Sequence, residues 1–271
     1  MYGFLRRPAW IVSHVAIAGL VVALVALGFW QRSRWMEERR RAELVEARAA
    51  AQPVPLAEAV DRSLPPAEVP DAVRHTRVWV AGTYDPAAEV LVRNRSQAGA
   101  PGAWVLTPLV GSDGTAVAVL RGWVPFTGPE PPGPPFPGAE PPPGPVTVSG
   151  TVTLHQAKGT FGATDPAEGR LAALNRVDLV RFAEQLPYPL APVAVVLEAQ
   201  QPPQPGGPEA LPRPIELELP SPSQNFSYMI QWWVFALIAV VGYPLVLRRV
   251  ARGRARGDEV PADPDRVGHA A

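Results

Sequence analysis

The stretch Leu27-Gly28-Phe29-Trp30-Gln31-Arg32-Ser33-Arg34-Trp35 is where an unbroken apolar run gives way to arginine. Behind it, residues 9–30 hold no charge over 22 positions, and the only polar members are Ser13 and His14. As a helix rising ~1.5 Å per residue, this run reaches about 33 Å, enough to cross a hydrocarbon core of roughly 30 Å. Trp10 and Trp30 stand near its two ends, where an indole favours the membrane interface. Residues 9–30 are therefore expected to be a transmembrane helix. The run is longer than the roughly 7–15 residues of a secretory h-region, and no A-x-A-like site precedes the arginines. That pattern fits an uncleaved anchor better than a signal peptide.

A second uncharged run, residues 228–247, opens around Gln231-Trp232-Trp233 and ends at Arg248-Arg249, with Pro244 in its expected last turn. Two spans put both termini on one side of the membrane. Arg6 and Arg7 lie before the first span. Arg248, Arg249, Arg252, Arg254 and Arg256 follow the second, whereas residues 202–228 carry only Arg213. The positive-inside rule thus sends both tails to the cytoplasm and the central domain outside, giving a multi-pass plasma-membrane protein. Arg32, Arg34, Arg39, Arg40 and Arg41 run against that rule. Either the tail arginines outweigh them, or some are kept outside because they bind something.

The 271-residue chain has room for one medium domain besides the spans. Its 25 basic and 25 acidic residues cancel, so no nucleic-acid footprint is present and no nucleic-acid partner is expected. Lys158 is the sole lysine, a bias that fits a GC-rich bacterial genome. The absence of cysteine excludes disulfides and thiolate chemistry, including copper delivery by soft sulfur ligands. Histidines at 14, 75, 155 and 269 lack metal-ligand spacing, and no metal site is expected.

Along the chain, residues 1–8 form a cytoplasmic tail, 9–30 the first span and 31–73 a helix followed by a Pro-rich linker. Within that segment, 36–51 are strong helix formers, and 52–71 are broken by five prolines with one short helical turn. Residues 74–226 read as an extracytoplasmic β domain. Its strands are expected at 76–84, 89–94, 103–110, 115–124, 145–154, 192–199 and 215–219, with a Pro-rich loop at 129–145 and a short helix at 175–186. Residues 227–247 are the second span, and 248–271 a basic, disordered tail. The fold class is a membrane α+β protein: two transmembrane helices flanking a mainly antiparallel, barrel-like β domain.

No catalytic motif appears, and Asp61, Asp71, Asp85, Asp113 and Asp165 read as turn and cap residues, so no enzyme is expected. His14 lies ~24 Å along the helix axis from Trp30, which separates it from Gln31 and Arg34. Counting inward along an antiparallel second span brings Gly242-Tyr243 to its depth. A His14–Tyr243 hydrogen bond, with Gly242 allowing close approach, is one reading. A haem or metal ligand is the other.

Three segments together resemble the surfeit-locus family of cytochrome c oxidase assembly proteins, in its actinobacterial form. Leu27-Gly28-Phe29-Trp30-Gln31-x-x-Arg34 is similar to the family's L-G-x-W-Q-x-x-R. Leu120-Arg121-Gly122-Trp123-Val124-Pro125 resembles N-R-G-W-V-P, preceded by Gly82-x-Tyr84 and Gly102-x-x-x-x-Thr107-Pro108-Leu109. Asn225-Phe226-Ser227-Tyr228-Met229-Ile230-Gln231-Trp232-Trp233-x-Phe235-Ala236 resembles the opening of the family's second span, N-H-x-x-Y-x-x-x-W-F-x-x-A. Leu120 replaces the family Asn, and no histidine accompanies Asn225.

The resemblance implies a chaperone of the respiratory chain that assists maturation of, or haem A insertion into, oxidase subunit I. Subunit I and haem A synthase are its implied partners, beside the lipid bilayer. Haem A would be held transiently, with no tightly bound cofactor. Trp30, Gln31, Arg34, Tyr228, Gln231 and Trp232 would form one shelf at the outer interface for haem or a partner, with Arg121, Gly122 and Trp123 as further contacts. Arginine suits a propionate or a partner's carboxylate; tryptophan could equally anchor the helices, and Arg34 could hold lipid phosphate. Two other readings stay open: a scaffold binding oxidase subunits without haem, and a membrane-attached hydrolase.

Overall fold

The computed structural model describes residues 8–128, 130–159, 163–207, 210–216 and 223–257. In chain order its elements are α1 (Pro8–Ala50), β1 (Val54–Pro55), α2 (Leu56–Ala59), β2 (Arg77–Tyr84), β3 (Val90–Val92), β4 (Gly102–Val110), β5 (Ala116–Pro125), β6 (Pro145–Leu154), β7 (Ala173–Leu174), α3 (Leu179–Ala183), β8 (Leu190–Gln201) and α4 (Ser223–Gly257). They divide into two units, residues 1–43 with 219–271, and residues 44–218. Residues 1–7 of the expected N-terminal tail and the tail beyond residue 257 lie outside the described residues.

α1 is one helix of 43 residues. The expected span and the helix after it merge because residues 31–50 contain neither Gly nor Pro and are rich in Ala, Glu and Arg. Arg34–Glu37, Glu37–Arg41 and Arg39–Glu43 pairs line its exposed surface, each adding a few tenths of a kcal/mol at most. The buried or half-buried positions Trp10, His14, Ile17, Val21, Leu24, Gly28, Gln31, Trp35 and Glu38 alternate at spacings of four and three. Asn225, Met229, Trp232, Ala236, Ala239 and Tyr243 do the same on α4. Such a 3.5-residue period is the seam of two helices packed knobs-into-holes. The opposite faces, with Val12, Val15, Val22, Leu237 and Ile238, are exposed and apolar. Both helices are long and apolar enough to cross a membrane, which supports a place in the bilayer.

Side-chain contacts fix the helices antiparallel. The Tyr243 hydroxyl lies 2.6 Å from His14 Nδ1 and 2.9 Å from Ser13 Oγ. Further along, the Phe29 and Trp233 rings meet at 5.6 Å, Trp35 and Phe226 at 5.5 Å, and Asn225 Nδ2 donates to Glu38 Oε2 at 2.6 Å. The His14–Tyr243 bond is thus present, but the close approach sits elsewhere. A Cβ at Gly242 would meet nothing within 4 Å, whereas one at Gly28 would come within 2.1 Å of Trp233 Nε1. Pro244 is not in a last turn either, since α4 continues to Gly257 and ten residues of the expected disordered tail are helical.

In the β unit, β2, β6, β8, β5 and β4 pair in that order, and Thr83↔Val110 with Tyr84↔Leu109 closes β4 back onto β2. The result is a five-stranded barrel, extended by β3 and β7 beside β4 and by β1 beside β2. Three pairs, β1–β2, β3–β7 and β5–β8, are parallel and the other five are antiparallel, so the sheet is mixed but mainly antiparallel, as expected. β8 runs parallel to β5 because β6 comes between them in sequence, runs opposite to β5 and pairs antiparallel with β8. β5 is buried from Ala116 to Val124 because both its faces are covered. Val117 and Val119 join Val78, Leu109, Val148 and Val193 in one cluster; Ala118 and Leu120 join Leu106, Leu174, Leu179 and Phe182 in another.

α3 spans only five residues of the expected 175–186 helix. Before it, Asn175 and Val177 give their backbone N–H groups to Asp165 and Gln156, which holds that stretch extended. The strand expected at 215–219 is absent from its described part; instead Arg213 bridges Trp123. Residues 217–219 lie outside the described residues.

Replacing Tyr243 by Phe removes a hydroxyl shared by two partners and should cost about 1 kcal/mol of helix-pair stability. Gly28→Leu should cost more, because the indole of Trp233 must leave its seat. Thermal unfolding of the full chain in detergent checks both: lowered midpoints, with the larger drop for Gly28→Leu.

Candidate functional site

The antiparallel register sets the α1 stretch 28–35 level with the α4 stretch 226–233. All six residues expected on the shelf therefore lie at one level of the helix pair, though not on one surface. Gln31 and Trp232 sit in the seam. Trp30, Arg34, Tyr228 and Gln231 are exposed beside it, and Arg34 keeps only a loose 3.9 Å contact with Glu37. Two buried polar atoms here have no hydrogen-bond partner among the described residues: the Gln31 amide oxygen and the Trp232 indole nitrogen. An acceptor and a donor left bare at the same level are costly in an apolar seam. A ligand or partner hydroxyl, donating to Gln31 Oε1 and accepting from Trp232 Nε1, would relieve both.

The β-domain motif is built differently. Arg121, at the middle of β5, is buried, and its side chain faces an equally buried Glu89 at 2.9 Å. Its Nε donates to Thr107 Oγ1 at 2.8 Å, and Thr107 donates on to Glu89 Oε2 at 2.6 Å. One Nη2 hydrogen reaches the carbonyl of Ala139, and Glu89 Oε1 accepts from the N–H of Phe136 at 2.8 Å. Nη1 points to Gln204 Oε1 at 3.4 Å, and the Tyr84 ring lies 5.6 Å from the guanidinium. Arg121 therefore turns inward and clamps three loops, rather than presenting its charge to an outside ligand as expected.

Gly122 and Trp123 complete that clamp. Gly122 adopts φ +155°, and a Cβ there would come within 2.4 Å of the Arg213 carbonyl. The missing side chain lets residues 212–213 lie against β5, where Trp123 and Arg213 exchange backbone hydrogen bonds of 2.6 and 2.8 Å. The Trp123 indole covers Gly102 and donates to the carbonyl of Arg95 at 2.7 Å. Sequence reasoning picked out Tyr84, Gly102, Thr107 and Arg121 but missed Glu89, the carboxylate that Thr107 and Arg121 bind. A lone Glu at a strand entrance carries no sign of burial; only the need of a buried arginine for a partner could have exposed it.

Burial holds the Tyr84 phenol neutral well above its usual range, although the nearby Arg121 charge opposes the shift. Tyr188 is raised for the same reason, aided by its hydrogen bond to Asp85 Oδ2. His75 is lowered, first by burial and then by Arg74 and Arg48. Among the described residues no group of three His, Cys, Asp or Glu could hold a metal ion.

Arg121→Met would strand the Glu89 carboxylate in the core, and an unpaired buried charge costs about 3–5 kcal/mol. Denaturant unfolding of the full chain should show a loss of that size. The raised phenols give an alkaline limit. Folded tyrosines stay neutral while unfolded ones ionise above an ordinary value of about 10. Their contribution is thus complete below that pH and is lost as pH rises beyond it. Melts from neutral to strongly alkaline pH should show the decline, and a Tyr84→Phe, Tyr188→Phe double variant should flatten it.

Comparison with known proteins identifies the family. The SURF1 family model matches residues 18–237, a range that takes in both levels of motif. SURF1-like proteins of Mycobacterium bovis and of two Mycobacterium tuberculosis strains are 29% identical over 277 aligned residues, covering 97% of this chain and 92% of each relative. The chain belongs to the SURF1 family, which is known for cytochrome oxidase assembly.

Proposed function

We propose that this chain is a non-enzymatic, membrane-anchored assembly factor for a haem-copper cytochrome c oxidase. In this reading it holds subunit I at the outer membrane interface while the haem A site matures, with haem A synthase as a second partner. Both tails face the cytoplasm and the β domain faces outward, as the arginines beyond the second span favour. The observation that carries the reading is the pair of unpartnered buried atoms, Gln31 Oε1 and Trp232 Nε1, between exposed aromatic faces.

The residues at this level suit the rim of haem A. Trp30 and Tyr228 offer flat faces to a macrocycle, and Arg34 offers a fork to a propionate. Gln31 and Trp232 could meet a peripheral oxygen. They do not suit the iron, because the motif supplies no imidazole there and His14 is tied to Tyr243 more than thirteen residues away along α1. That same lack favours a second reading, in which the shelf grips only a subunit I helix and never touches haem.

Reduced-minus-oxidised spectra of membranes lacking the chain, taken with subunit I levels, test the role. We expect weaker a-type haem bands and impaired oxidase turnover, restored by the wild-type gene and only partly by Arg34→Ala. A lowered haem-to-subunit ratio would favour the haem reading, and a lowered subunit level with normal ratio the scaffold. Unchanged bands and turnover would remove both.

A further inference from the structure

Most arginines of the β unit have a partner. Arg62, Arg74, Arg77 and Arg181 pair with Asp113, Asp71, Glu198 and Glu184, and Arg48, Arg170 and Arg176 donate to backbone carbonyls. Arg93 and Arg95 differ. They follow β3, separated by Asn94 in a left-handed conformation at φ 58°. Each has its Nε buried with no hydrogen-bond partner, and among the described residues no carboxylate lies within ion-pair distance of either. Both line one solvent-reaching cleft of about 440 Å³, together with Ser96, Phe126 and Thr127.

The two guanidinium groups are held by different means. Arg95 stacks 4.3 Å over the Trp104 ring, and its Nη2 makes one long bond of 3.3 Å to Gln156 Oε1. Stacking fixes its plane and leaves its outer edge free. Arg93 is half-buried and makes no side-chain hydrogen bond or ion pair among the described residues. Two partly desolvated cations thus line one cleft, and none of the cleft's lining residues is acidic. We infer that the Arg93–Arg95 cleft is a docking site for a carboxylate carried by an acidic segment of a protein partner.

Carboxylate fits better than phosphate. Two planar forks match two carboxylate oxygens each, and no helix N-terminus lines the cleft to add backbone donors for a phosphate. Ser96 and Thr127 supply further hydroxyl donors. Phe126 and Pro101 offer an apolar wall to the neighbours of an acidic side chain. The inference is separate from the shelf on the helix pair and does not depend on haem.

Fluorescence anisotropy with the full chain in detergent micelles tests it, using a dye-labelled peptide of alternating glutamate and alanine. The same peptide with glutamine replacing glutamate is the control. Wild type should bind the acidic peptide at low salt and release it at high salt. Arg93→Gln should weaken binding about tenfold or more with an unchanged unfolding midpoint, since that side chain holds no other part of the fold. Arg95→Lys keeps the charge without the fork and should fall between. Equal binding by Arg93→Gln, equal binding of the glutamine peptide, no binding by wild type, or full displacement by inorganic phosphate would each overturn the proposal.

Discussion

The β unit depends on one buried ion pair. Arg121 and Glu89 are both removed from water, which is unfavourable unless every donor and acceptor finds a partner. Here each one does. Thr107 bridges the two, the backbone of residues 136 and 139 takes the remaining Glu89 oxygen and one arginine hydrogen, and Gln204 takes another. The pair therefore ties strand β4, strand β5, the Pro-rich loop and the 202–212 loop to one point. A Pro-rich stretch cannot join a ladder, because it lacks N–H donors. It is ordered instead by two hydrogen bonds to side chains in the barrel wall. Gly122 and Trp123, next in sequence, secure the following loop through Arg213.

The helix pair depends on a different kind of constraint. Between apolar helices in lipid there is little hydrophobic drive to associate, so close packing and a few polar contacts must specify the register. At one end Tyr243 meets Ser13 and His14. At the other, Asn225 meets Glu38. Gly28 gives the space that lets the Trp233 ring come against α1. Fixed at these three levels, the pair has no freedom to slide, and Gln31 and Trp232 remain in the seam with unpartnered polar atoms. The motif thus combines residues that set the register with residues that the register leaves unsatisfied. The second group is where a ligand or partner is expected.

Much of this was legible from composition and spacing. The spans follow from uncharged runs, and five barrel strands from alternation between turn residues. The Tyr243–His14 bond follows from counting depth along two antiparallel helices. What stayed hidden has a physical reason in each instance. β1 and β7 are two residues long and exist only because β2 and β3 offer them an edge. The parallel β5–β8 pairing depends on the direction of β6, which comes between them in sequence and which local pattern does not encode. Gly242 looked like the small residue at a helix contact, but the contact is made by the larger Trp233 against Gly28. Arg121 was expected to contact haem or a partner and lies instead buried against Glu89, because a charged strand residue gives no sign of its burial until its carboxylate is found. Arg93 falls near the end of an expected strand and Arg95 just after it, and only the lack of partners around their Nε atoms sets them apart.

The central claim is that the exposed side of the helix pair, at the level of Trp30 and Tyr228, meets the oxidase during its assembly. The most direct measurement places a photo-crosslinking amino acid at position 30 in living cells and irradiates while oxidase is being made. The account predicts an adduct with oxidase subunit I that is absent when the crosslinker sits at the lipid-facing position 22. Adducts with lipid alone, in cells that contain the full-length chain and are actively assembling oxidase, would contradict it.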